Sequence, residues 1–191
     1  RENYSRLGQW YLDNEEYVPA YFAFASAEDW NGVLKTLEKD KAKSLNTEHS
    51  QEFFRWIKSC PEEYLLRYPT AIVACMVKMF SFHNIPEIKR MKGLLLNSLE
   101  QDTTLTEQER HDLLGDAEVS ESFLCYNNIS AMSAHHRKAC ALLSRTSLSI
   151  DPKGAWTFSA PSIFMMYHRN VGGADSENAE MQECMPYYYQ V

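Results

Sequence analysis

Apolar residues recur along this chain every three or four positions, the period of a helix with one buried face. The first instance is residues 4–27, YSRLGQWYLDNEEYVPAYFAFASA. Tyr4, Leu7 and Tyr11 fall on one face of a first helix, and Ala20, Phe24 and Ala27 on one face of a second. Gly8 and Ala20 are small enough to let the two backbones approach. Asp29 is placed to cap a third helix carrying Trp30, Val33, Leu34 and Leu37 on one side. Residues 44–47 break it. Thr47 starts another helix, whose buried face holds Phe53, Phe54 and Ile57, with Trp56 beside them. Pro61, Pro69, Pro86 and Pro161 each precede a helix-like apolar pattern and read as first helical positions. The helix opened by Pro69 is apolar almost all round, so residues 71–82 should be the most buried of the array. Pro86 opens a helix with Ile88, Met91, Leu95 and Leu99 in a stripe.

Residues 101–106 form a polar loop. Thr106 and Glu109 then fit a capping box, and a long helix is expected to about residue 127, with Leu113, Ala117, Phe123 and Leu124 inward. Ile129 starts the next helix, with a stripe of Ile129, Met132, His136, Ala139, Cys140 and Leu143. Residues 144–155 read as irregular. The helix after Pro161 ends at Gly172 and Gly173. The last one, from about Ser176, carries Met181, Met185 and Tyr188, and Pro186 should kink or fray it. No strand pattern of useful length appears. Tyr4, Leu7, Gly8, Tyr11, Ala20, Phe24 and Ala27 also have the spacing of a tetratricopeptide hairpin. One such hairpin cannot bury its own apolar face, so neighbours must stack on it. The expected fold class is therefore all-α: a tetratricopeptide-like alpha-alpha superhelix of stacked antiparallel helix pairs. Residues 1–191 are expected to form a single helical-repeat domain, with 101–106 as the place for any subdivision. The chain starts at Arg1 rather than Met and ends uncapped, so it is expected to be a fragment of a longer protein.

The formal net charge of −7 argues against nucleic-acid contact by this segment, since such binders carry basic patches. Lys35, Lys39, Lys41 and Lys43 are interrupted by Glu38 and Asp40 and read as a solvated face. The five cysteines are scattered, odd in number and without a C-x-x-C pair, which points to free thiols and a cytoplasmic location. The longest apolar run is too short to span a bilayer. No nucleotide-binding loop, H-E-x-x-H or G-x-S-x-G motif is present. The segment is thus expected to be no enzyme and to carry no cofactor.

Two clusters invite a functional reading. In the first, Asn127, Asn128, His135 and His136 place polar groups beside an otherwise apolar helix. His136 lies inside the stripe and His135 at its edge, while Arg137 points away and should be solvated. His136 and Cys140, four apart, could both face a metal. The plainer reading is a core histidine satisfied by a backbone carbonyl or a tyrosine hydroxyl, and two ligands without a third make a weak metal site. In the second cluster, Trp156, Phe158, Phe164, Tyr167, His168 and Arg169 offer flat apolar area and a fixed cation, or serve as ordinary core. The break at 144–155 would leave space between the two. Together they define a candidate ligand pocket or partner-docking groove lined by Asn128, His135, His136, Trp156, Tyr167 and Arg169.

The opening stretch LGQWYLDNEEYVPAYFAFASAEDWNGVLKTLEKD resembles the start of the helical-repeat region of MalT-like, LuxR-family transcriptional regulators. WIKSCPEEYLLRYPTAIVACM is similar to that family's next segment, and SFLCYNNISAMSAHHRKACALL and GAWTFSAPSIFMMYHRNVG resemble a bacterial subgroup of it. The resemblance implies a sensor segment, with the ATPase and the DNA-binding helix–turn–helix outside it. It implies as partners a small-molecule effector or a regulatory protein, other domains of the same chain, and self-association. It assigns no ligand-binding residue. Two other classes stay open beside it: a tetratricopeptide scaffold that holds a protein or peptide, and an enzyme with a site among the histidines.

Overall fold

The computed structural model describes residues 1–125, 128–150 and 170–191. The described residues are helical, without a strand. They fall into two compact units, Arg1–Leu105 and Thr106–Val191.

The first unit holds α1 (Glu2–Asp13), α2 (Tyr17–Ala27), α3 (Trp30–Asp40), a 3-10 turn (Thr47–His49), α4 (Ser50–Ser59), α5 (Glu62–Leu65), α6 (Pro69–Ser81) and α7 (Ile85–Gln101). α1 packs on α2 and α2 on α3; α3 then packs on α6, past α4 and α5, and α6 on α7. The face of α1 that is buried is set by Gly8 and Leu12. Tyr4 and Leu7, expected inward, stay 53% and 41% exposed. The reason is the close approach at Gly8, where a Cβ would stand 2.7 Å from the ring of Phe24. Gly32 on α3 closes the other side, its Cβ position falling 2.2 Å from the same ring. Phe24 therefore sits in a slot between two glycines, and α1, α2 and α3 draw together around it. Asp29 caps α3 as the sequence predicts, accepting from Gly32 N–H at 3.0 Å.

Pro69 is the first residue of α6, and α6 is deeply buried as its pattern predicts over its first two turns, with Ala71, Ile72, Val73, Cys75 and Met76 inaccessible to water, whereas Val77, Phe80 and Phe82 are only half-buried and Ser81 is exposed. The α7 stripe of Ile88, Met91, Leu95 and Leu99 is buried as expected. Pro61 differs from the expectation: it precedes α5 in extended backbone rather than opening the helix. Phe54 is only partly buried, and Trp56 takes its place inside. The corners are turned by Glu15, Glu28, Lys41, Ala42 and His83, all at φ between 55° and 61°.

The second unit holds α8 (Glu107–Ser122), a 3-10 turn (Phe123–Cys125), α9 (Ile129–Leu142) and, after the helix that Pro161 is expected to open, α10 (Ala174–Tyr188). Thr106 and Glu109 form the expected capping box. α8 stops at Ser122 and tightens into the 3-10 turn instead of running to residue 127. α9 packs on both α8 and α10. Ile129, Met132 and Cys184 form one small core, and Val119, Ala139 and Val191 another. Pro186 does not break α10, because it lies in the last turn, where its missing N–H removes a single helical bond.

All five cysteines are free thiols. Among the described residues no helix is long and apolar enough to cross a membrane.

Candidate functional site

The α8–α9–α10 layer holds three of the six predicted site residues. Asn128 precedes α9, and its Oδ1 accepts from Ala131 N–H at 3.1 Å. It is a helix cap. His135 and His136 begin seven residues further on, about 10 Å along the axis, so the helix does not gather the three into one pocket. Trp156, Tyr167 and Arg169, with Asn127 and the rest of the aromatic cluster, lie outside the described residues.

The two histidines face different neighbours. His136 is 3% exposed, and its ring stands 5.3 Å from that of Tyr188 on α10. Its Nε2 is 3.0 Å from Ser122 Oγ. The Ser122 hydroxyl has one proton, and that proton goes to the Val119 carbonyl at 2.6 Å. The serine oxygen therefore accepts from His136 Nε2–H, which fixes the tautomer. Burial, and secondarily the adjacent His135, push the pKa of His136 down to about 4. This is the core histidine of the plainer reading, satisfied by a serine rather than by a carbonyl or a tyrosine. A Ser–His pair polarised this way is the reverse of an activated nucleophile, whose hydroxyl must donate to the ring.

His135 turns to α8, with Nδ1 2.7 Å from Glu118 Oε2. Cys140 shares no site with His136, since its thiol donates to the Tyr187 carbonyl at 3.4 Å. Arg137 is not simply solvated. It bonds Glu183 at 3.2 Å and lies over the Tyr187 ring, 4.1 Å from its centroid, clasping α10 to α9.

After α9, residues 144–148, irregular as the sequence predicts, are tied to α8. Ser144 donates its N–H and its hydroxyl to Asp112, at 2.7 and 2.9 Å. Asp116, inaccessible to water, accepts from Arg145 at 2.8 Å, from the Ser147 hydroxyl at 2.8 Å and from Leu148 N–H at 2.7 Å. Burial alone would raise the Asp112 carboxyl; the bonds from Ser144, then Gln108 and the Arg145 charge, outweigh it and hold it below the usual range. The two aspartates thus bind residues 144–148 against α8. Their trace in the sequence is the i,i+4 pair itself, each member preceding an inward apolar residue, Leu113 or Ala117.

No family model, curated protein or solved structure matches this chain. Its chemistry must be read from its own surface. In the first unit a groove of about 500 Å³ runs between α2, α3 and α4. Phe22, Trp30 and Trp56 line it, with Arg55 and Glu52 at the rim. Phe22 meets Trp56 edge-on at 5.1 Å. The sequence shows these aromatics only as helix faces, because it does not reveal which of them a turn leaves uncovered.

Proposed function

We propose that this chain is the effector-sensing or protein-interaction helical-repeat module of a bacterial, cytoplasmic LuxR-type transcriptional regulator. ATP and DNA are handled by other domains of the protein. The observation that carries the reading is the helix-on-helix packing within each unit, α1 on α2, α2 on α3 and α6 on α7 in one and α8 on α9 in the other, an arrangement whose output is surface rather than an enclosed reaction chamber. The net charge of −7 favours a partner other than a polyanion. The order of the resembling segments along the chain supports a tetratricopeptide-like superhelix. The coding sequence around the segment tests this directly. A phosphate-binding loop upstream and a helix–turn–helix downstream are expected, and ATP-dependent DNA binding by the whole protein. A gene that encodes neither would refute the reading.

One observation favours the second reading, a scaffold that holds a peptide. The groove lined by Phe22, Trp30, Arg55 and Trp56 is built from residue types that dominate binding hot spots. If Trp30→Ala abolished partner capture by a protein lacking ATPase and DNA-binding domains, the scaffold reading would replace the sensor.

A further inference from the structure

Glu118 and Glu121 stand one turn apart on α8, and His135 faces them from α9. One ligand atom from each lies within 4.8 Å of the other two. We propose that Glu118, Glu121 and His135 form a binding site for a divalent first-row transition-metal ion that bridges α8 and α9.

Two features separate this group from an ordinary acidic patch. One donor is an imidazole nitrogen supplied by the facing helix, so the ion would tie together two elements instead of decorating one. The side chains of His135 and Glu118 are 23% and 15% exposed, so both donors are already largely out of water. The mixed nitrogen and oxygen set suits Zn²⁺, Co²⁺, Ni²⁺ or Mn²⁺. Magnesium and calcium prefer oxygen alone, and Cu(I) prefers sulfur. Three protein ligands leave a coordination position for water or an exogenous ligand. The frame behind the site is fixed, because neighbouring His136 is held by Ser122 and Tyr188.

Lys138 opposes the ion. Its Nζ lies 3.7 Å from Glu118 Oε2, on a side chain 64% exposed that can swing into water. Removing this charge therefore strengthens metal binding, an effect that a purely structural Glu118–His135 contact does not produce.

The test is a Co²⁺ titration of the 191-residue chain after chelator treatment, followed by visible d–d absorption with Zn²⁺ as competitor. One saturable equivalent is expected. His135→Ala and Glu121→Gln should each weaken binding by about tenfold or more, and Lys138→Ala should tighten it severalfold. Far-ultraviolet circular dichroism checks that each variant stays helical. The site is refuted if Co²⁺ does not bind at millimolar concentration, or if neither His135→Ala nor Glu121→Gln weakens binding. Weaker binding in Lys138→Ala overturns it too. So does thiolate-to-cobalt charge-transfer absorption that persists in His135→Ala, which would place the ion on the cysteines.

Discussion

The two units hold their helices together by different means. Within Arg1–Leu105 the interior is almost wholly apolar, and Thr36, Asp40 and Ser98 are its buried polar residues. Within the described part of Thr106–Val191, buried Asp112, Asp116, Ser122, His136, Ser147 and Glu177 stand among small apolar clusters. Apolar contact is non-directional and tolerates small displacements. A buried polar network holds only when every member has its partner. The first unit should therefore respond to changes in volume, and the second to changes in charge and protonation.

The largest expected effect is at Asp116. Asp116→Ala leaves the Ser147 hydroxyl and Leu148 N–H without their acceptor and takes from Arg145 the nearer of its two carboxylates. It should cost the second unit about 3–5 kcal/mol. Urea unfolding resolved by hydrogen exchange would read this, with protection in α6 unchanged. A loss below about 1 kcal/mol would show that the network does not hold that unit together.

The next effect is a pH dependence, measured with a chelator present. His136 titrates at about 4 in the folded chain, against an ordinary value of 6.5. Between those values the unfolded chain binds the extra proton, so stability is whole above pH 6.5 and falls as the pH drops toward 4. The loss through this window should be about 3 kcal/mol. His136→Gln should flatten the profile there. An equally steep fall in that variant would place the acid sensitivity elsewhere.

The smallest effect belongs to the first unit. Gly32→Ala drives a methyl group into the Phe24 ring and should cost about 1–3 kcal/mol. Phe24→Leu in the same chain should recover part of that loss, as coupled neighbours do. Additive losses in a thermal melt would mean that the slot is not what the glycine serves.

The first unit was the more legible one in the sequence, and its physics explains why. The α6 run and the α7 stripe are periodic patterns of residue type, and periodicity follows directly from burial on one side of a helix. The departure at α1 came from close approach. Gly8 and Gly32 let α1 and α3 come in on Phe24, which rotated Tyr4 and Leu7 outward. In the second unit the apolar stripe of α9 and the burial of His136 were legible. The partners were not. Ser122 lies 14 residues from His136, and Asp116 lies 31 residues from Ser147, and no local spacing announces such pairs. That residues 144–148 bond to Asp112 and Asp116 was not legible either, because a polar segment reads as loose until its acceptors are known. Trp156, Tyr167 and Arg169 lie outside the described residues.

The corners of the first unit carry one more consequence. Glu15, Glu28, Lys41, Ala42 and His83 hold a left-handed backbone that side-chain-bearing residues avoid, at about 1 kcal/mol each. The chain has only seven glycines to spend on such bends, and none stands at these corners. The apolar interior thus works against five small springs, placed at the turns after α1, α2, α3 and α6. A ligand or partner that loosened that interior would meet a chain already inclined to straighten, and the motion would begin at the joints while the rods stayed whole.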